Sequence, residues 1–301
     1  MRSITVGIPT LNRTKYLKDT VLSVIKNSID NINEIIIVDQ TVDPEVLSNN
    51  EIFFKNLNFK IRYIILNEPS VCKARNLIIK ESISDIIFFI DDDVILSKNY
   101  FNEHIKLYQF KDVVSTIGKI YNRNQDVNID LLNIDKPDLY TNDPFYNKEN
   151  IETDYTGPGI SCNQSYLKKV LLEVRGFDEN FKGGYFEDAD LTNRIRDKGY
   201  KISYNPKAYI IHIKAPMGGL RFDKIQPISF DIKFYSFLFF YIRYFELNFY
   251  YILKFYNVLR AGPLKKEIIF NFKKCIILWI KLPFLIYKAI RDRNVIKSII
   301  N

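Results

Sequence analysis

The sequence predicts an α/β fold: a mainly parallel, Rossmann-like sheet flanked by helices, followed by a helical extension rich in basic and aromatic residues. Three observations carry this reading. Apolar runs alternate with amphipathic stretches from the start to about residue 118. Polar or acidic residues stand directly after several of those runs. The composition then changes sharply near Pro227.

The elements follow in order. Ile4 to Ile8 reads as a buried strand. From Thr14 to Ser28, apolar residues at Leu17, Val21, Leu22, Val24 and Ile25 recur at helical spacing. Glu34 to Val38 and Phe59 to Leu66 are further apolar runs, Val71 to Ser82 reads as a helix, and Ile86 to Ile90 is a fourth strand ending in three aspartates. Such alternation implies parallel strands with helices on both faces. In these sheets ligands bind beyond the carboxyl ends of the strands. Pro9-Thr10, Asp39-Gln40 and Asp91-Asp92-Asp93 should therefore gather along one rim. Residues 120 to 158 are polar, without a period, and read as a long surface excursion of the kind that often carries function. Order is expected to return with helix-like Gln164 to Val174 and Glu187 to Asp197, then two short strands near Ile202 and from Ala208 to Ile213.

At 301 residues and 47% hydrophobic, the chain can bury a sizeable core, which excludes wholesale disorder. The three cysteines, Cys72, Cys162 and Cys275, are odd in number and widely spaced, so neither a disulfide framework nor a zinc cluster is suggested and a reducing compartment is expected. The first residues enter a strand-like run with no apolar leader or cleavage site, so the expectation is a cytoplasmic protein. The net charge is +8, but residues 228–301 alone carry 13 Lys/Arg against 4 Asp/Glu and 19 of the 44 aromatics. The expected division is a catalytic domain over 1–227, with halves at about 1–118 and 119–227, and a C-terminal region over 228–301.

Three successive carboxylates at a strand end repel one another, and burying their edge costs free energy unless a cation or hydrogen-bond donors compensate. Hard oxygen ligands suit Mg²⁺ or Mn²⁺, ions that commonly bridge a carboxylate and substrate phosphates; a solvated aspartate turn is the alternative. The second acidic cluster is Glu187-Asp188-Ala189-Asp190 at a helix start. Acids there suit the helix dipole, or one of them is a general base. Lys73-Ala74-Arg75-Asn76 opens another helix, where cations and backbone N–H groups suit a diphosphate as well as a plain solvated face. Asp39 could accept a hydrogen bond from the N–H of a nucleobase, or simply close a turn.

Taken in order, Val6-Gly7-Ile8-Pro9-Thr10-Leu11-Asn12-Arg13, Ile36-Ile37-Val38-Asp39, Ala74-Arg75-Asn76, Phe89-Ile90-Asp91-Asp92-Asp93-Val94, Gly176-Phe177-Asp178-Glu179 and Phe186-Glu187-Asp188-Ala189-Asp190-Leu191 with Arg194 resemble the family 2 glycosyltransferases of the GT-A fold. The resemblance covers about residues 3 to 213. It implies an inverting transfer of sugar from a nucleotide-diphosphate sugar. Pro9, Thr10, Asn12 and Arg13 would line the nucleotide pocket, Asp39 would contact the base, and Lys73 and Arg75 would lie near the ribose or diphosphate. Asp91, with Asp92 beside it, would face the ribose or sugar. Asp93 would ligate Mn²⁺ or Mg²⁺, and His212 would contact metal or phosphate. Asp188 would be the catalytic base, with Glu187 beside it on the acceptor side. The loop Gly157-Pro158-Gly159-Ile160-Ser161-Cys162-Asn163 resembles the acceptor-side loop through Gly159 and Asn163, although the usual Gly-Gly-Asn is altered. His104 receives no role.

The extension has no uninterrupted apolar run of the roughly 20 residues needed to cross a bilayer. Its interleaved aromatics and cations suit a helix lying in a membrane interface, or else helices packed on the domain or on a second subunit. A membrane surface would suit a glycan or lipid-linked glycan acceptor and a peripheral position on the inner face of the plasma membrane. Nucleic acid is not expected as a partner, given the catalytic signature. A sugar-nucleotide nucleotidyltransferase would carry a glycine-rich loop where Pro9-Thr10-Leu11-Asn12-Arg13 stands. An inactive membrane-bound homologue would not be expected to keep both acidic clusters.

Overall fold

The structure is a computed structural model describing residues 2–123, 139–140, 148–216, 218–219, 230–244 and 283–300. Most of the polar stretch between 120 and 158, Cys275 and much of the basic extension lie outside the described residues.

Strand β1 (Ile4–Thr10) is buried along its whole length and pairs in parallel with β2 (Ile32–Asp39) and β4 (Ile86–Ile90). Strand β3 (Ile61–Ile65) extends this parallel block beyond β2. The intervening helices are α1 (Thr14–Lys26), α2 (Pro44–Lys55) and α3 (Val71–Glu81). Leu17, Val21 and Val24 of α1 are fully buried, as the helical spacing predicts. Helix α2 was not read from the periodicity. Its apolar face is thin, and its start is set by Asp43, which accepts from the backbone N–H of Glu45 and Val46 ahead of a proline in the first turn.

The second half departs from the parallel pattern. Strand β5 (Val94–Leu96) is followed by α4 (Tyr100–Ile105), a 3₁₀ turn (Lys106–Gln109), β6 (Val113–Arg123) and β7 (Leu139–Tyr140). After these come β8 (Asn163–Leu167), α5 (Lys168–Glu173), α6 (Glu187–Asp197) and β9 (Lys201–His212). The sheet order is β3-β2-β1-β4-β8-β6-β9-β5, with β7 on β6. The expected helix from Gln164 to Val174 is a helix only from Lys168 to Glu173; the residues before it form β8, antiparallel to β4 and β6. All five residues of β8 are buried, and polar side chains hold it in place. Gln164 donates to Ser115 Oγ at 2.8 Å, and Ser165 pairs with Thr116 and Tyr108 at 2.6 and 2.8 Å. A strand buried through polar bonds shows no apolar alternation.

The two expected strands near Ile202 and Ala208 are one strand, β9. A register shift opposite Gly118 absorbs the Asn205-Pro206-Lys207 interruption. A Cβ on Gly118 would lie 1.7 Å from the Ala208 carbonyl oxygen, so only glycine fits there. In the extension, α7 (Phe230–Tyr244) buries Tyr235, Leu238, Phe239 and Ile242 in the main core, and α8 (residues 283–292) adds Leu285 and Ala289. The described part of the extension is therefore packed on the α/β domain. Among the described residues, no helix is long and apolar enough to cross a membrane.

Candidate active site

The carboxyl ends of β1, β2 and β4 meet the start of α3, the start of α6 and the end of β9 around a cleft of about 560 Å³. Pro9, Thr10, Arg13, Arg75 and Glu187 line it, together with Asp91-Asp92-Asp93 and His212. The topology accounts for this convergence. Parallel strands end on the same side, and β9 runs parallel to β6 and antiparallel to β5, which carries His212 opposite Val94.

Two guanidiniums organise the acids. Arg13 Nη1 donates to Asp92 Oδ1 at 2.9 Å and to Asp93 Oδ2 at 3.2 Å. Thr10 donates to the other Asp92 oxygen at 2.6 Å. Burial pushes the Asp92 carboxyl up to about 7 against the pull of Arg13, with the neighbouring Asp93 adding to the rise. Burial also acts on Asp93, but there the hydrogen bond and charge of His212, with Arg13 and the Ala215 N–H, outweigh it and hold the carboxyl well below the usual range. His212 Nε2 lies 3.1 Å from Asp93 Oδ1. Asp92 thus serves as an internal anchor between Thr10 and Arg13.

Arg75 is buried over the Phe177 ring. Its Nη1 donates to Glu187 at 3.0 Å and to Asp188 at 3.1 Å, and its Nη2 lies 3.8 Å from Asp91. Burial alone would lower its pKa, yet Asp188, Glu187 and Asp91 together raise it, so the cation is permanent. Asp188 is further held by Ser161, whose backbone N–H donates to Oδ2 at 3.1 Å and whose hydroxyl donates to Oδ1. One guanidinium therefore ties Asp91 after β4 to Glu187 and Asp188 at the start of α6, 96 and 97 positions further along the chain. Side-chain donor atoms of Asp91, Asp93 and His212 all lie within 4.8 Å of one another.

The other expected site residues take different places. Asp39 is buried at the end of β2, accepting from Thr41 N–H at 2.9 Å, Tyr63 OH at 2.5 Å and Asn50 at 3.3 Å, and it is the next residue, Gln40, that lines the cleft. Asn12 has a left-handed backbone (φ 57°), and its N–H donates to Thr41. Lys73, expected near the ribose or diphosphate, does not line the cleft: its ammonium pairs with the exposed Glu68. Gly159 packs on α6, where a Cβ would meet Thr192 Oγ1 at 2.0 Å and the Asp188 carbonyl at 2.8 Å, and this closeness lets Ser161 reach Asp188. Asn163 corrects an expectation. It is fully buried in the sheet, donates to the carbonyls of Lys119 and Ala208 and accepts from Tyr100 OH and His104, so its amide is spent on the core rather than on an acceptor. Gln40, expected on the rim beside Asp39 at the end of β2, does line the cleft; Lys214 and the Gly183-Gly184 turn line it as well and were not expected there. Lys214 follows His212 with no pattern to mark it.

The family profile described as "Glycosyl transferase family 2" matches residues 5–175, more than half of the chain. The chain belongs to this family. A curated relative, the poly(ribitol-phosphate) beta-N-acetylglucosaminyltransferase TarS of Staphylococcus aureus (strain Mu50 / ATCC 700699), is 26% identical over 99 residues, covering 33% of this chain. The matched part spans only 17% of that relative's length. Among solved structures, S. aureus TarS 1-349 in complex with UDP superposes with a TM-score of 0.63 at 17% identity, covering 97% of this chain and 82% of that one. GalNAc-T7 with UDP, GalNAc and Mn²⁺ gives a TM-score of 0.61 at 17% identity, covering 81% and 47%. At such identities these likenesses establish the GT-A fold of this family 2 glycosyltransferase.

Proposed function

We propose that this glycosyltransferase moves a sugar from a nucleotide-diphosphate sugar to an acceptor hydroxyl by a single in-line displacement with inversion at the anomeric carbon. The observation that carries this reading is the junction at Arg75, which brings Asp91 and Asp188 to one guanidinium beside a cleft also lined by Asp93 and His212. The UDP-bound TarS and GalNAc-T7 structures support a nucleotide donor.

Two carboxylates and an imidazole that can converge on one point fit a divalent cation such as Mn²⁺ or Mg²⁺, and the Mn²⁺ bound to GalNAc-T7 accords with this. When bound, such an ion neutralises charge on the departing diphosphate. The chain's own residues do the rest. Pro9, Thr10 and Arg13 form the floor under the nucleotide, with Gln40 at its base end and Asp39 held behind it by Thr41, Asn50 and Tyr63. Arg75 keeps Asp91, Glu187 and Asp188 in fixed relation. Asp188, oriented by Ser161 and Arg75, accepts the proton of the acceptor hydroxyl as the new bond forms. Asp188→Asn keeps the size and loses the basicity, so kcat should fall by about 10³-fold while nucleoside diphosphate still raises the melting temperature. Near-normal turnover of this variant on a nucleotide-sugar would defeat the assignment.

The acceptor is read as a lipid-linked or cell-surface glycan precursor met at a membrane surface. On α8, Phe284, Tyr287 and Ile290 form an exposed apolar stripe, while Leu285 and Ala289 face the core; Arg291 is exposed beside the stripe and paired with Asp292, and the Lys288 ammonium lies over the Tyr235 ring of α7. An exposed apolar stripe with an arginine beside it suits the headgroup boundary of a bilayer. Full-length protein should float with phosphatidylglycerol liposomes, and the Phe284→Glu/Tyr287→Glu variant should not; equal recovery with the soluble fraction would rule out this contact.

A further inference from the structure

The family motifs end near residue 213, yet a residue thirty positions later reaches the acidic face of α6. Arg243 of α7 donates to Asp190 Oδ1 at 2.6 Å and to Asp178 Oδ2 at 2.7 Å, and both carboxylates are completely buried. Its guanidinium lies 4.4 Å from the centre of the Phe239 ring and 5.7 Å from that of Phe181. Next to it, Tyr244 OH donates to Asp190 Oδ1 at 2.8 Å.

Each partner of Arg243 is one short covalent step from the cleft. Asp190 is in the first turn of α6, three residues from Glu187 and two from Asp188. Asp178 follows Phe177, whose ring lies under Arg75, and the Phe177 carbonyl accepts from Asn76, the neighbour of Arg75 on α3. Arg194 also binds Asp190, at 2.8 Å, and donates to the carbonyls of Val174 and Gly176, so it ties α6 to the turn before Phe177, whereas Arg243 ties the same carboxylate to α7.

Helix α7 also holds the segment leading into α6. Ser236 Oγ accepts from the Lys182 N–H and donates to the Lys182 carbonyl, both at 2.9 Å. Phe237 and Phe240 pack on Phe186 at ring-centre distances of 5.5 and 5.1 Å. Between these anchors lie Gly183, Gly184 and Phe186, all with left-handed φ of 75°, 68° and 67°. For a bulky aromatic that backbone is unfavourable and persists only when its surroundings impose it. The residue held this way is the one immediately before Glu187.

We propose that Arg243 is a positioning residue for the Glu187–Asp188 pair, acting through Asp190 and Asp178 to fix the start of α6 against Arg75. The inference rests on the assignment of Asp188 as the base. It makes α7 part of the catalytic unit.

The test uses the full chain with Arg243→Lys, Arg243→Gln and Leu285→Ala, the last loosening the packing of the extension away from α6. Hydrogen exchange over residues 183–191 and steady-state kinetics are read for each. At matched thermal stability, both Arg243 variants should exchange faster than Leu285→Ala in this segment. Their kcat should fall by about 10²-fold, with the donor KM within about twofold. The lysine, which can keep one ion pair, should recover part of the loss. Exchange and kcat indistinguishable from Leu285→Ala would overturn the inference. Wild-type protein inert towards every nucleotide-sugar would count instead against the proposed function, and the exchange comparison would then decide the role of Arg243 by itself.

Discussion

The chain has two histidines, and their surroundings differ in a way that separates structure from chemistry. His104 of α4 is sealed in the core between Thr116 Oγ1 at 2.7 Å and Asn163 Oδ1 at 3.1 Å, and every polar atom of Asn163 is spoken for in turn. The group is closed and carries no net charge. His212 stands at the rim of the cleft beside Asp93, where Asp91, Asp92, Asp93, Glu187 and Asp188 surround two buried guanidiniums, Arg13 and Arg75, with Lys214 also on the cleft wall. That region is open and rich in acid. A balanced polar cluster specifies packing; an acid-rich cluster facing a cavity is suited to binding a cation.

The larger effect that can test this contrast concerns acid stability. Burial lowers the His104 pKa to about 4 against the opposing hydrogen bond with Asn163 and the charge of Glu103. Unfolded, the ring titrates near its ordinary value. Between that value and about 4, the unfolded chain binds a proton that the folded chain does not, so stability is whole above pH 6.5 and is lost as pH falls through this window. The full loss is about 3 kcal/mol. His104→Gln keeps a polar side chain without the titration. Urea unfolding at pH 7.5 and pH 4.5 should give a smaller drop between the two conditions for the variant than for wild type. An equal drop would place the acid sensitivity elsewhere and remove the distinction drawn for this histidine.

The same contrast explains what could be read from the sequence. The parallel block was legible because β1, β2 and β4 are continuous buried apolar runs and the rim residues follow them directly. Asp91, Asp93, Glu187 and Asp188 could be marked as site candidates because acids at strand ends and helix starts stand out against apolar neighbours. The sealed polar layer was not legible. Asn163, Gln164 and Ser165 look like a polar loop or helix face, and only the partners across β4, β6 and α4 make them a buried strand. The acceptor-side role of Asn163 rests on the loop resemblance alone, which carries no sign of those partners. Arg243 was hidden for a related reason: nothing in composition separates it from the other 12 basic residues of the extension, although it is buried against two carboxylates.

A smaller effect sharpens the open side of the comparison. Asp91 is partly exposed, and its nearest ion-pair contact is Arg75 at 3.8 Å, so Asp91→Asn should change the stability of the metal-free protein by less than about 0.5 kcal/mol. In a region with surplus acid, losing one carboxylate relieves repulsion about as much as it forfeits attraction. The response to Mn²⁺ should differ. If Asp91, Asp93 and His212 converge on one ion, the substitution removes one ligand, and the Mn²⁺ concentration needed for half the thermal shift should rise about tenfold or more. An unchanged Mn²⁺ titration, with weakened binding of nucleotide-sugar, would assign Asp91 to the ribose or sugar and leave the ion to Asp93 and His212. The two outcomes thus separate a carboxylate that faces the cation from one that faces the donor.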